Sequence, residues 1–313
     1  MKPGGVSVKN TQWLYHGFAI AVVIAWGLSF ISTRVLLDGG LSPIEIYIYR
    51  FTLAYLSMLA ICHKRMFAAS LRDELMFVVC GIVAGSVYFI AENVALEYTL
   101  VSNVSLITSL SPLLTVLMAG FIYKSSRPAR SAYIGSTVAF LGVGLVIFNS
   151  SFNMSVNPLG DMLALLAAFC WAAYSIMIKP LNAHYDARFI TRKVFFYGVI
   201  TAIPFFAVDP HITPLSVILT PGVAFNLLYL SLVCSLGAYL LWAVAVIKIG
   251  ALKASNYLYF QPVVTLVFSV LILGEHITVV GGSGCLMILL GVWLSDFLQK
   301  RTWRRPRLKS SRR

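Results

Sequence analysis

Ten stretches of roughly 20 mostly apolar residues follow one another along this chain, and no other feature limits its fold as strongly. They run approximately Trp13–Leu36, Ile44–Cys62, Leu75–Tyr98, Val104–Tyr123, Tyr133–Phe148, Leu159–Lys179, Ile190–Val208, Val223–Ile247, Ala254–Leu273 and Val279–Leu298. Backbone amides in hydrocarbon have no water to bond, so apolar runs of this length become membrane-spanning helices. Composition agrees: 59% of the 313 residues are hydrophobic and 11% charged, against about 25% charged in soluble domains. Lys2 and Lys9 before the first run resemble a signal peptide, but the run continues to Leu37. That is beyond the roughly 7–15 residues of a cleavable apolar region, so a retained first span is expected.

The positions of the basic residues set the direction of the spans. With a cytoplasmic N-terminus, 22 of the 24 Lys and Arg fall on the inner side or in the tail, and Arg34 and Arg50 lie in or at the ends of spans. Asp38, Asp161, Asp209 and Glu275 fall outside. This is the positive-inside pattern with both termini cytoplasmic. Eight of the basic residues lie after Leu298, in "QKRTWRRPRLKSSRR", a flank suited to anionic lipid headgroups of the bilayer. No basic helix or finger spacing reads nucleic acid, so no nucleic-acid partner is expected. Cys62, Cys80, Cys170, Cys234 and Cys285 are scattered in apolar sequence without CxxC or metal-ligand spacing. Neither a metal nor a cofactor is expected from them.

The chain also compares with itself at an offset of 145 to 150 residues. Trp26 aligns with Trp171, each followed eight residues later by a basic side chain, Arg34 or Lys179. "ALEYTLVSNVSLITSLSP" (95–112) aligns without gaps to "AVIKIGALKASNYLYFQP" (245–262). "IGSTVAFLGVGL" (134–145) matches "SGCLMILLGVWL" (283–294), placing Gly135 and Gly142 over Gly284 and Gly291. The expected fold is therefore all-α and integral to the membrane, ten helices built as a 5+5 inverted repeat. Residues 1–12 form a cytoplasmic N-terminus, 13–149 the first repeat, 150–298 the second and 299–313 the basic tail. An odd number of spans per repeat turns the second half over, and inverted repeats in secondary transporters set the substrate near the midplane between them.

"AWGLSF" in span 1, "SPIEIYIYRF" in span 2, "LSPLLTVLMAGF" in span 4, "GDMLALLAAFCWAAYSIMIK", "QPVVTLVFSVLILGEHIT" and "LLGVWL" carry a family resemblance in their order and spacing. The sequence resembles the drug/metabolite transporter superfamily, specifically the EamA type with two EamA domains, from Trp13 to Leu298. The resemblance implies a carrier in a bacterial inner membrane that moves small organic metabolites by alternating access, often outward. Amino acids and their derivatives are the first class to expect. One departure stands out. The second half has "LGE" at Leu273–Glu275, thirteen residues after Pro262, whereas thirteen residues after Pro112 comes Ser125. A role that needs a symmetric pair of glutamates is therefore not available.

Candidate substrate-binding residues cluster by helical spacing. Trp26, Ser29, Phe30 and Thr33 share one face of span 1, and Trp171, Tyr174 and Ser175 share one of span 6. Both tryptophans fall near mid-span, away from the headgroup belt, and an indole N–H in hydrocarbon needs a partner. Packing between helices and lining of a cavity explain these faces equally well. In span 3, Gly81, Gly85, Tyr88 and Glu92 have repeat mates Ser231, Ser235, Ala238 and Trp242 in span 8. The small residues suit close helix contact. Glu92 is different, because a mid-helix carboxylate costs about 2.5–3.5 kcal/mol to insert. Arg50 lies at a similar depth, roughly 10 Å from the outer end at 1.5 Å per residue. The two are expected either to pair or to bind opposite ends of a substrate, with proton coupling through Glu92 as a variant. Pro112 and Pro262 interrupt spans 4 and 9 and free the carbonyls of Thr108 and Leu258. Thr108, Tyr259 and Gln261 stand beside these breaks. With Tyr239 they complete the candidate set, which suits amphipathic or aromatic metabolites.

Two other classes compete. "GGSG" (281–284) formally matches an intramembrane serine protease, but no later span carries a histidine base, and HExxH and P-loop patterns are missing. A channel would show a filter loop, and none is evident. Import of a nucleotide-type metabolite lacks a dense basic cluster at mid-membrane. The sequence favours neither a monomer nor a homodimer.

Overall fold

The computed structural model describes residues 8–122, 133–135, 137–142, 145, 158–207, 210, 212–249, 257–258 and 260–303. Among these, every element of regular structure is helical. Seven helices are long and apolar enough to cross a membrane: α1 (Trp13–Asp38), α2 (Pro43–Ile61), α3 (Leu71–Tyr98), α4 (Val101–Ile122), α6 (Pro158–Leu181), α7 (Ala187–Ala207) and α8 (Pro221–Ile249). Three shorter apolar helices lie between and after them: α5 (Tyr133–Gly142), α9 (Gln261–Leu273) and α10 (Val279–Gly291), the last continuing in helical form to Trp303. Exposed Phe121, Phe225, Ile247 and Val279 on the outside of the bundle present apolar surface that suits hydrocarbon.

Local sequence sets the helix ends. Ser42 opens α2 with a reciprocal capping box to Glu45, and Pro43 occupies the first turn. The Asp186 carboxylate accepts from the Phe189 N–H at 2.9 Å to open α7. Helix α4 is broken where its proline predicts, into Val101–Thr108 and Ser111–Ile122. The carbonyl of Thr108 that Pro112 leaves free accepts from the Ser111 hydroxyl at 2.6 Å. The described part of α9 begins at Gln261, with Pro262 in its first turn.

Among the described residues three helices carry a π-helical segment, two of them at corresponding places, Ile82–Val87 in α3 and Tyr229–Gly237 in α8; the third is Ser269–Leu273 in α9. An extra residue in the turn widens the helix locally, a feature frequent at functional sites. Helix α7 packs on the first of these segments and α2 on the second. At the α3–α7 crossing, a Cβ on Gly85 would stand 2.7 Å from the Gly198 Cα, so the backbones meet directly. Helices α5 and α10 cross through glycines in the same way. A Cβ on Gly142 would lie 2.7 Å from the Gly284 carbonyl oxygen, while Gly291 faces Gly135 and Ala139. This pairing order makes the two helices antiparallel.

At the end of the bundle where α1 and α3 finish, bonds tie distant parts of the chain. Glu275 accepts from the Val101 and Ser102 N–H groups at 2.7 and 3.2 Å, donors that the first turn of α4 leaves without a helical partner. Arg34 bridges to Asp38 at 3.0 Å and donates to the Leu96 carbonyl at 2.7 Å. The buried Glu45 carboxylate accepts from Thr213 through both N–H and hydroxyl, each at 2.7 Å. At the opposite end Arg192 donates to the carbonyls of Cys62 and Arg65, and Lys193 pairs with Glu74.

Candidate functional site

The candidate site is centred on Arg50, near the middle of α2. Its side chain is only 3% exposed, held in three ways. Nε donates to the Ser235 hydroxyl on the π-helical segment of α8 at 2.7 Å. The guanidinium carbon lies 5.0 Å from the ring centres of both Phe51 and Phe89, a cation–π clamp. Among the described residues, its terminal nitrogens have no hydrogen-bond partner. The unused donors of such a guanidinium have the geometry to meet a planar anion.

Glu92 lies on α3, 5% exposed, and accepts from the Tyr88 hydroxyl at 2.6 Å. The direct Arg50–Glu92 ion pair that their shared depth allows is not formed among the described residues. The Ser235 bond and the two phenylalanine rings hold the guanidinium where it stands.

Aromatic rings continue from this pair on two sides. Tyr88 meets Trp171 at 5.3 Å, and Trp171 meets Tyr174 at 5.5 Å. On the other side Phe195 meets Tyr239 at 5.3 Å, and Trp26 meets Tyr239 at 5.7 Å and Trp242 at 5.4 Å. The Trp26 indole N–H donates to the Cys234 carbonyl at 3.0 Å, a group on the α8 π-helical segment. Trp26, Trp171, Tyr174, Tyr239 and Trp242 are half-buried.

The structure thus brings Trp26, Arg50, Tyr88, Glu92, Trp171, Tyr174, Tyr239 and Trp242 into one connected set. It does not bring the hydroxyl residues with them. Ser29 and Ser175 donate to the carbonyls of Trp26 and Trp171 in their own helices. Thr108 is buried and bonds the carbonyls of Val104 and Ser105, while Phe30 packs with Ile31, Leu96 and Ile107 in the apolar core. Gln261 lies where α9 meets α1, its carbonyl oxygen 3.1 Å from the Thr265 hydroxyl. Tyr259 lies outside the described residues. Sequence reasoning missed Phe51, Phe89 and Phe195. It placed Ser235 only as the mate of Gly85.

Comparison with known proteins decides the class. A family model, the EamA-like transporter family, matches the chain twice, over residues 13–148 and 158–295. The chain belongs to the EamA-like transporter family. An Archaeoglobus fulgidus relative described as an uncharacterized transporter is 28% identical over 91% of this chain and 98% of its own. An Escherichia coli relative named "Probable amino-acid metabolite efflux pump" is 25% identical over 89% of this chain and 93% of its own. A Streptantibioticus cattleyicolor relative named "Probable terminal-alkyne amino-acid exporter" is 25% identical over 93% and 95%. A solved crystal structure superposes with a TM-score of 0.64 at 16% identity, covering 91% of this chain and 97% of its own. That likeness speaks for the EamA-like chain's fold alone. Membership makes it a multi-pass membrane transporter with a small-molecule substrate. The two matched stretches correspond to the two halves of the internal repeat.

Proposed function

We propose that this transporter moves small carboxylates of the amino-acid type, or their amphipathic and aromatic derivatives, out of the cell by alternating access. The observation that carries this reading is Arg50, buried at mid-helix with both terminal nitrogens unpaired among the described residues. Arg50 takes the carboxylate of the substrate, and Glu92 meets its ammonium group or a coupling proton. The aromatic walls of Trp26, Trp171, Tyr174, Tyr239 and Trp242 take the apolar remainder and tolerate an amine by cation–π attraction. The names of the Escherichia coli and Streptantibioticus relatives, both concerned with amino acids, support the class.

The same reading takes ten helices as two inverted sets of five, with both termini in the cytoplasm. The antiparallel α5–α10 crossing and the paired π-helical segments support that arrangement. The bonds of Glu275, Arg34 and Glu45 then lie at the outer face. At the inner ends, Ala19, Ala245 and Ile249 of α1 and α8 pack in a cluster separate from that of Phe77, Leu181 and Phe189 of α3, α6 and α7. The outer bonds support a state closed on that side. The test is counterflow in proteoliposomes with a labelled panel of amino acids and metabolites, with and without a pH gradient. Saturable exchange of an amino-acid-type carboxylate is expected. Exchange confined to solutes without a carboxylate would contradict the proposal, and so would passage that never saturates.

A further inference from the structure

We propose that Ser235 is the positioning residue that aims Arg50, and that it thereby sets the preference for carboxylate over uncharged head groups. The proposal rests on Arg50 being the carboxylate receptor of the transporter.

An arginine side chain has several rotatable bonds, and a carboxylate can approach its planar fork from more than one edge. Here the side edge is taken. Ser235 Oγ accepts from Nε at 2.7 Å, with Ser235 wholly buried and Arg50 only 3% exposed. Phe51 and Phe89 cover the guanidinium at 5.0 Å each. What is left is the far edge with its two terminal nitrogens, the end-on pair that a carboxylate meets in bidentate fashion. The π-helical segment of α8 presents the hydroxyl. Of its two buried serines, Ser231 donates back to the Leu227 carbonyl of its own helix at 2.7 Å. Ser235 turns to α2 instead.

The other half of the molecule shows what this place becomes without a receptor. The mate of Ser235 is Gly85, on the π-helical segment of α3. Its face is closed by the Gly198 backbone and by the Tyr47 hydroxyl, 2.9 Å from where a Cβ would stand. One crossing is therefore packed shut, and at its mate the α8 segment offers Arg50 a hydroxyl. The difference lies in one side chain on each of two equivalent turns.

The experiment is counterflow of L-leucine, L-phenylalanine and the corresponding carboxamides by the full chain in proteoliposomes. The variants are Ser235→Ala, Ser235→Thr, Ser231→Ala and Arg50→Gln. Ser235→Ala is expected to raise the half-saturation concentration for the carboxylates about tenfold, the size of one charge-assisted hydrogen bond. The maximal rate should fall far less and carboxamide exchange should not change. Ser235→Thr restores the hydroxyl and the affinity, and Ser231→Ala has no effect. Ser235→Cys, close in volume and a weaker acceptor, carries the same prediction if the alanine variant does not fold. An unchanged half-saturation concentration in Ser235→Ala, with Arg50→Gln inactive, overturns the positioning role and leaves the carboxylate reading standing. Unimpaired exchange by Arg50→Gln, or no carboxylate exchanged by the wild type, overturns both.

Discussion

Glu92 and Arg50 show how a lone charge in an apolar run announces itself. Each interrupts a helix that would otherwise insert more cheaply, so both were legible in the sequence as candidates. Their surroundings were not. Whether two ionisable groups at equal depth pair depends on what else reaches them, and Ser235, Phe51 and Phe89 reach Arg50 first. A serine or phenylalanine in an apolar helix is ordinary, so neither carries a signal. Glu92 has one hydrogen-bond donor among the described residues, the Tyr88 hydroxyl. Tyr88→Phe removes it and should lower stability by about 1.5–3 kcal/mol, the range for hydrogen bonds to charged groups, read as a lower midpoint of thermal unfolding in detergent. Glu92→Gln should keep the fold and lose any dependence of transport on a pH gradient. Unchanged pH dependence in that variant would remove Glu92 from coupling.

At the level of helices, the broken α4 was legible because proline cannot donate its backbone hydrogen bond, and the paired glycines because small residues at helical spacing permit close approach. The π-helical segments were not, since one extra residue in a turn leaves no mark in composition or periodicity. Their effect is nonetheless large: they let α2 and α7 seat against the middle of α8 and α3. Gly198→Leu should prevent that seating at the α3–α7 crossing, where Gly85 and Tyr47 already touch, and give little folded protein by size-exclusion chromatography. Gly85→Ala, with its new Cβ 2.7 Å from the Gly198 Cα, should be milder, destabilising by about 1–3 kcal/mol. Glu275→Gln weakens the cap on α4 by removing the charge that its N-terminal donors hold, a loss of about 1 kcal/mol visible in the same unfolding assay. Its would-be mate in the first half is Ser125, so no equivalent carboxylate exists to take over.

Across the whole molecule, the repeat and the charge bias together predict how the halves sit in the membrane, and the two matches to the family model fall on the same halves. What the sequence could not show is that the candidate residues divide. The aromatic and charged ones form one connected cluster, while the hydroxyls of Ser29, Thr108 and Ser175 bond carbonyls of their own helices. A hydroxyl in hydrocarbon bonds the nearest free carbonyl, and in a helix that carbonyl is usually three or four residues back. If the bundle closed at its outer face opens toward the cytoplasm, a Tyr174→Cys variant on a background lacking reactive cysteines should react faster with an impermeant maleimide in inverted vesicles than in right-side-out cells. Equal rates from both sides would not fit that state. Whether Arg50 receives the substrate carboxylate is decided by counterflow of labelled amino-acid-type carboxylates in proteoliposomes of wild type and Arg50→Gln. Saturable exchange by the wild type and its loss in the folded variant are expected; full exchange by Arg50→Gln would rule out that role.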